Sequence, residues 1–164
     1  MKETEIRPKK IFNEFIKLAA LDTKKYFKKK RNKIKCVACN RNGKFSFKKN
    51  NFSYYLCQNC KTLFANPRPE ESEFSNYYKK SSSIKSLASF YKKTQKLRKK
   101  NIWQSKAQII SKILKKKRLT NFSYVDIGGG SGVFAEEISK YTKKNITVIE
   151  PSPFMAEECR KKKF

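Results

Sequence analysis

Four cysteines form two C-x-x-C pairs separated by 17 residues: Cys36 and Cys39, then Cys57 and Cys60. This spacing is typical of a zinc site, because a two-residue gap lets one tight turn present two thiolates to one metal ion. Two such turns complete a tetrahedral shell with no open position, so we expect structural rather than catalytic zinc. An iron–sulfur cluster would use the same ligands. Disulfides fit poorly, since the chain begins with no apolar signal-peptide core.

The segment between the two cysteine pairs has the pattern of a β-hairpin. KFSFKK and FSYYL alternate apolar and polar residues, as half-buried strands do. Asn42-Gly43 and Asn50-Asn51 supply residues that favour turns. We therefore predict a zinc ribbon over residues 33–69, which needs the metal in order to fold.

The glycines are concentrated in one turn that is suited to a nucleoside. Four of the five glycines of the chain are Gly128, Gly129, Gly130 and Gly132. An apolar strand pattern precedes them, a helical pattern with Phe134, Ile138 and Tyr141 follows from Val133, and a second strand, Ile146–Ile149, ends in Glu150. An acid about 20 residues beyond the first glycine can accept hydrogen bonds from ribose. We predict a βαβ nucleoside-binding unit; the alternative is a βαβ unit whose glycines only shape the turn.

The order of the glycines distinguishes between nucleoside cofactors. A dinucleotide fingerprint that starts at Gly128 fails, because Val133 occupies the position of its last glycine. The segment DIGGGSG, residues 126–132, resembles the first motif of class I S-adenosylmethionine-dependent methyltransferases, and VIEPSPFMAEECR resembles their second motif. The resemblance implies S-adenosylmethionine as cofactor, with five cofactor-binding residues: Asp126, Gly128, Gly130, Gly132 and Glu150.

The resemblance extends to the order of segments along the chain. A cysteine ribbon, the segment Asn66–Pro69, the pair Tyr77-Tyr78 and then the glycine motif are similar to methyltransferases with an N-terminal zinc-binding domain. That family implies a Rossmann-like α/β fold and methyl transfer to a small-molecule acceptor, such as a sugar derivative of surface-polysaccharide biosynthesis. The chain has no histidine, and no other residue is marked as a general base. We therefore name no catalytic residue.

These patterns divide the chain into four predicted segments. A helical arm over residues 1–32 precedes the ribbon, a helical connector covers 70–120, and the first βαβ unit of a Rossmann-like domain covers 121–164. Two parallel strands alone leave an uncovered apolar face. We therefore expect the N-terminal part of a longer enzyme, whether a fragment, a split gene or a pseudogene.

Several side chains are expected to contribute to packing rather than to chemistry. Tyr91 and Trp103 lie in the helical connector, where core packing is the simpler interpretation and a place at the cofactor entrance is the alternative. The fifth cysteine, Cys159, has no neighbour in sequence that completes a nucleophile–base pair. We expect it to be a half-buried helical residue.

The charge suggests a different class of function. Lys and Arg number 41 against 13 acidic residues, a net charge of +28. Aromatic residues interleaved with lysines in the ribbon can stack on bases: Phe45, Phe47, Tyr54 and Tyr55. The alternatives are therefore a non-enzymatic nucleic-acid-binding zinc ribbon or an RNA methyltransferase. However, 34 of the 41 basic residues are lysine, whose codons are A/T-rich, so biased base composition is the simpler origin of the charge.

The sequence contains no candidate membrane span. A transmembrane helix needs about 20 consecutive apolar residues, and the apolar runs here are far shorter. The first ten residues also lack the apolar centre of a signal peptide. We expect a cytoplasmic protein.

Overall fold

The structure, a computed structural model, describes residues 3–120, 122–142 and 145–164 and is mixed α/β. The described residues divide into two compact units. One comprises Ile16–Ser83, and the other comprises the chain up to Phe15 together with Ile84–Phe164. Among the described residues, no helix combines the length and apolar character needed to cross a membrane. The four predicted segment boundaries remain predictions.

The N-terminal part is helical, as the apolar spacing predicts. Helix α1 covers Glu3–Ile6 and helix α2 covers Lys9–Tyr26. The buried residues of α2 lie in its last turns, at Asp22 and Thr23. Asp22 then caps another helix, because its Oδ2 accepts a hydrogen bond of 2.7 Å from the backbone N–H of Ser83.

The ribbon is a three-stranded antiparallel sheet in the order β1-β2-β3. Strand β1 covers Gly43–Lys49, β2 covers Phe52–Cys57 and β3 covers Leu63–Ala65. The predicted hairpin is confirmed, and β3 is an addition that the sequence analysis did not anticipate. A β-bulge between Phe45 and Phe47 shifts the register of β1 against β2. Helix α3 follows over Glu71–Lys80.

A nearly continuous helical stretch forms the predicted connector. Helix α4 covers Ser82–Arg98, a π-helical segment covers Lys99–Trp103, and helix α5 covers Gln104–Lys116. A π-helical turn widens the helix by one residue and changes the direction of the side chains beside it, and such turns are frequent at functional sites. Here the turn lies between Arg98 and Gln104.

The C-terminal part contains a parallel βαβ unit in the predicted order. Strand β4 covers Tyr124–Ile127, helix α6 covers Val133–Ser139 and strand β5 covers Ile146–Ile149. Helix α7 follows over Pro153–Lys161. The strands pair in parallel from Tyr124 with Ile146 to Ile127 with Ile149. Tyr141 lies beyond the end of α6 rather than on it, because the helix ends at Ser139.

The two-stranded parallel sheet exposes one apolar face. Side chains alternate between half-buried and exposed along both strands. The exposed set includes Val125, Ile127 and Ile149, and Ile127 is 80% exposed. The uncovered face agrees with the expectation for two parallel strands. A complete Rossmann-like sheet remains a prediction.

Candidate metal centre and cofactor cavity

The four predicted zinc ligands come together at one end of the ribbon. The sulfur atoms of Cys36, Cys39, Cys57 and Cys60 all lie within 4.8 Å of one another. Two of the sulfur–sulfur distances, Cys36 to Cys60 and Cys39 to Cys57, are 3.5 Å. A tetrahedral shell with Zn–S bonds of about 2.3 Å has sulfur–sulfur edges of about 3.8 Å. The cluster therefore has the dimensions needed to hold a metal such as zinc.

The two cysteine turns have the same local geometry. The residue after the second cysteine of each pair adopts a left-handed conformation, with φ of 56° at Asn40 and 60° at Lys61. Its N–H donates a hydrogen bond to the carbonyl oxygen of the first cysteine, at 2.9 Å for Cys36 and 3.1 Å for Cys57. Each turn therefore holds its two sulfur atoms in the same way, as the C-x-x-C spacing requires.

The surroundings of the cysteines lower the pKa of one thiol and bury two of the other sulfur ligands. Hydrogen bonds between Cys60 and both the side chain and the backbone of Thr62 lower the pKa of Cys60 to about 6. Thiolates are the form that binds metal. Cys36 and Cys57 are buried and pack with Phe64. The sequence analysis did not single out Thr62; its position two residues after a ligand was the only signal.

The ribbon aromatics do not form a single surface. The rings of Phe45 and Tyr55 lie 5.9 Å apart, and those of Phe47 and Tyr54 lie 5.0 Å apart and are stacked. Tyr54 and Tyr55 are consecutive on β2, so their side chains point to opposite faces. Because of the bulge in β1, each phenylalanine side chain points to the same face of the hairpin as its tyrosine partner. The four rings are therefore divided between the two faces of the hairpin.

The glycine turn needs glycine for two different reasons. Gly128, Gly130 and Gly132 have φ of 74°, 59° and 70°, which side chains rarely tolerate. Gly129 instead lacks space, because a Cβ atom there would lie 2.6 Å from Cγ1 of Val148 and 2.8 Å from Oδ2 of Asp126. The sequence analysis did not include Gly129 among the cofactor residues. Its place in the turn was known, but the contact across the sheet was not.

Glu150 accepts two backbone hydrogen bonds, one of which comes from the glycine turn. Its Oε2 accepts from the N–H of Gly130 at 2.9 Å, and its Oε1 accepts from the N–H of Ser152 at 2.8 Å. Each carboxylate oxygen has a second lone pair, which stays available to a ligand hydroxyl. The end of β5 is therefore tied to the turn after β4, as a βαβ nucleoside site requires.

A cavity of about 210 Å³ lies beside the glycine turn. One wall is Asp126 with the turn residues 128–131, and Val133 and Phe134 of α6 continue it. The other lining residues belong to α4 and the π-helical segment: Tyr91, Gln95, Arg98 and Trp103. Of the predicted cofactor residues, Asp126, Gly128 and Gly130 line this cavity. Gly132, the last glycine of the turn, and Glu150, which accepts a hydrogen bond from Gly130, are not among the lining residues.

Two aromatic residues therefore lie at the cavity, where core packing was the simpler expectation. Tyr91 and Trp103 both line it. Trp103 also contacts Phe134, with ring centroids 5.8 Å apart. The π-helical segment brings Trp103 to this wall, and that irregularity has no signature in the sequence pattern.

Asp126 carries an unused hydrogen-bond acceptor at the cavity wall. Its Oδ2 atom is buried and accepts no hydrogen bond from the described residues. Burial raises the pKa of Asp126, because the carboxylate loses hydration without gaining a partner. A buried acceptor of this kind is costly unless it is paired. Because Asp126 lines the cavity, its carboxylate favours a ligand that brings a positive charge.

Cys159 contacts the glycine turn and is buried, rather than half-buried as expected. Its thiol donates a hydrogen bond of 3.1 Å to the carbonyl oxygen of Gly130. Burial raises the pKa of Cys159, which keeps it a thiol. A Cβ atom at Gly132 would lie 3.2 Å from this sulfur. Cys159 thus packs the turn and is not placed as a nucleophile.

Comparisons with protein-family models, with curated proteins and with solved structures find no match for this chain. The functional argument therefore depends on the geometry of the site.

Proposed function

We propose that this protein binds S-adenosylmethionine and transfers its methyl group to a small-molecule acceptor, such as a sugar derivative of surface-polysaccharide biosynthesis. The observation that carries the proposal is the cavity beside the glycine turn, which is lined by Asp126, a residue whose buried Oδ2 atom has no hydrogen-bond partner among the described residues. In this proposal the ribbon holds zinc for structural reasons, through Cys36, Cys39, Cys57 and Cys60.

The chemistry of the cavity suits this cofactor. When bound, S-adenosylmethionine supplies a methyl group that is attached to a positively charged sulfur. The acceptor would attack the methyl carbon in line with the bond to that sulfur. Asp126, which lines the cavity, offsets positive charge there. The turn lets the backbone approach the ligand closely. Glu150 holds that turn and offers lone pairs to the ribose hydroxyls.

The nucleic-acid alternative receives less support from the geometry. A base-stacking platform needs aromatic rings on one surface, whereas the bulge places Phe45 with Tyr55 on one face and Phe47 with Tyr54 on the other. The charge of +28 attracts any polyanion at low salt. An RNA methyltransferase would use the same cofactor site and differ only in its acceptor.

Calorimetric titration of the zinc-loaded protein tests the proposal. We expect saturable binding of S-adenosylmethionine and of S-adenosylhomocysteine, which lacks the sulfonium charge. Asp126→Asn keeps the shape of the side chain and removes its charge. It should weaken S-adenosylmethionine binding about tenfold and S-adenosylhomocysteine binding less.

The control for this titration is Glu157→Gln. Glu157 is an exposed acid of α7 that pairs with Arg160, and it does not line the cavity. Its replacement removes the same charge and should leave both affinities unchanged. Absence of saturable binding by the unmodified protein, or equal effects of the two substitutions, would contradict the proposal.

A further inference from the structure

A second cavity lies at the opposite end of the parallel sheet from the glycine turn. Its volume is about 370 Å³, within the range of about 300–1,000 Å³ that is typical of small-molecule sites. Two of its lining residues, Phe122 and Thr142, precede β4 and β5 in the sequence, whereas the glycine turn follows β4. Because the two strands are parallel, the two cavities lie at opposite ends of them.

The end of α5 contributes two basic residues to this second cavity, Lys115 and Arg118. Neither forms an ion pair within the described part of the chain, where all the ion pairs involve other residues. The described residues that line the cavity include no acid. Two uncompensated positive charges therefore lie at its wall.

The way in which α5 ends brings Arg118 to the cavity. The N–H of Leu119 donates a hydrogen bond of 3.1 Å to the carbonyl oxygen of Leu114, and the N–H of Arg118 donates one of 3.0 Å to that of Lys115. This is the Schellman motif, in which the residue after the cap is usually glycine. Arg118 occupies that position with φ of 49°, which is unfavourable for a residue with a side chain. The ending of the helix therefore does not account for an arginine here.

Ser111 adds a hydroxyl group without a partner to the same cavity. It lies one turn before Lys115, lines the cavity and is only 6% exposed. Hydroxyl groups inside helices commonly donate to the carbonyl oxygen four residues back, as Thr94 does to Phe90. The Ser111 hydroxyl makes no such bond among the described residues, and its oxygen is not one of the fully enclosed unpaired atoms. A ligand oxygen in the cavity would supply the missing partner.

The rest of the cavity wall is largely apolar. Leu114 and Leu119 line it from the end of α5, and Phe122 and Tyr141 add aromatic rings. Leu119 is 49% exposed and Tyr141 is 40% exposed, so both keep apolar surface for a ligand to cover. The cavity thus combines a basic part with a part that suits a flat hydrophobic group.

The basic part matches a phosphate monoester better than a carboxylate. A phosphate monoester has close to two negative charges at pH 7 and three acceptor oxygens, whereas a carboxylate would leave one cation unmatched. Arg118 can bind phosphate through two parallel hydrogen bonds and Lys115 as a point charge. The end of a helix carries about half a negative charge, which the two full positive charges outweigh.

We propose that this cavity is a second binding site, which takes a phosphate monoester of a small aromatic group. Lys115, Arg118 and Ser111 bind the phosphate, and the aromatic group lies against Leu114 and Leu119. The site is separate from the cavity beside the glycine turn and does not depend on the proposed function.

Leucine methyl groups report on occupancy of this site. The chain has eight leucines; Leu114 and Leu119 line the second cavity, and the described residues beside the glycine turn include no leucine. Zinc-loaded protein with ¹³C-labelled leucine methyl groups is titrated with phenyl phosphate, inorganic phosphate and phenol at about 0.15 M salt, where exposed charges are screened. Phenyl phosphate should shift the signals of Leu114 and Leu119 and bind at least about tenfold more tightly than phosphate or phenol.

Two variants separate binding from folding. Ser111→Ala loses no hydrogen bond within the protein and introduces a better helix former, so it should stay folded and bind phenyl phosphate about three- to tenfold more weakly. Arg118→Gly supplies the residue that the left-handed position favours, so its urea midpoint should rise while its affinity falls about tenfold or more. The control, Lys117→Gln, removes the adjacent charge, which does not line the cavity, and should change the affinity by less than about twofold.

Several results would overturn this inference. One is the absence of any shift at Leu114 and Leu119, and another is equal affinity for phenyl phosphate and inorganic phosphate. Equal losses in Arg118→Gly and Lys117→Gln would show only the general attraction of a chain with a charge of +28. Displacement of phenyl phosphate by S-adenosylmethionine would move the ligand to the glycine turn, whereas an unchanged affinity supports a separate site.

Discussion

Replacement of Gly129 by alanine should lower the stability of the βαβ unit and disturb the cavity beside the glycine turn. The added methyl carbon would lie 2.6 Å from Cγ1 of Val148 and 2.8 Å from Oδ2 of Asp126. Neither neighbour is the far end of a flexible chain, because Val148 belongs to β5 and Asp126 to β4. Overpacking of this kind costs about 1–3 kcal/mol. Relief requires movement of the strand or of the carboxylate at the cavity wall.

Gly128→Ala is the matched control for this prediction. A Cβ atom at Gly128 meets nothing within 4 Å, but φ there is 74°. The cost is therefore the backbone strain of a left-handed residue, about 1–2 kcal/mol. The two variants should lose similar stability for different reasons. Only Gly129→Ala should also displace Asp126. It should therefore weaken the binding of S-adenosylmethionine to the folded protein, whereas Gly128→Ala should not.

Urea unfolding measures the stability, and titration of the folded variants measures binding. The expected result is a loss of about 1–3 kcal/mol in both variants, with affinity reduced clearly more in Gly129→Ala. Equal stability of Gly129→Ala and the unmodified protein would refute the packing argument. Equal affinity of the two variants would refute the link from Gly129 to Asp126.

Three further predictions concern the metal and the helix cap. Metal analysis should find about one zinc ion per chain, and Cys39→Ser should lose it together with the ribbon fold; a folded ribbon without metal would contradict this. Zinc affinity should fall as the pH is lowered, because protons compete with the metal for the four thiolates; zinc affinity that rises on acidification would contradict this. Asp22→Ala should lower the free energy of unfolding by about 1–3 kcal/mol, because it leaves the buried N–H of Ser83 unpaired; an unchanged urea midpoint would exclude the cap.

The parts of the fold that depend on short sequence patterns could be predicted. The C-x-x-C spacing requires each pair to share a turn, and the alternating segments between them predict the hairpin, so the sulfur cluster follows from local rules. The strand, glycine turn, helix and strand after Tyr124 follow in the same way. Each of these features depends on residues a few positions apart.

The features that define the cavity depend instead on contacts between distant parts of the chain. Arg98 and Trp103 reach it because a π-helical segment interrupts a regular helical pattern. The requirement for glycine at position 129 comes from Val148 on another strand. The bulge that separates Phe45 from Phe47 comes from pairing with β2. The spacing of apolar residues along the sequence does not reveal such contacts. The sequence analysis therefore assigned Trp103 to packing and did not include Arg98.

Selective ¹⁵N-glycine labelling tests the central claim most directly. The chain has five glycines, of which four lie in the turn and Gly43 lies in the ribbon, so an amide spectrum contains one signal for each. On addition of S-adenosylmethionine, the signals of Gly128, Gly129, Gly130 and Gly132 should shift, and that of Gly43 should stay in place. Five unchanged signals, or a shift confined to Gly43, would contradict a cofactor site at the glycine turn.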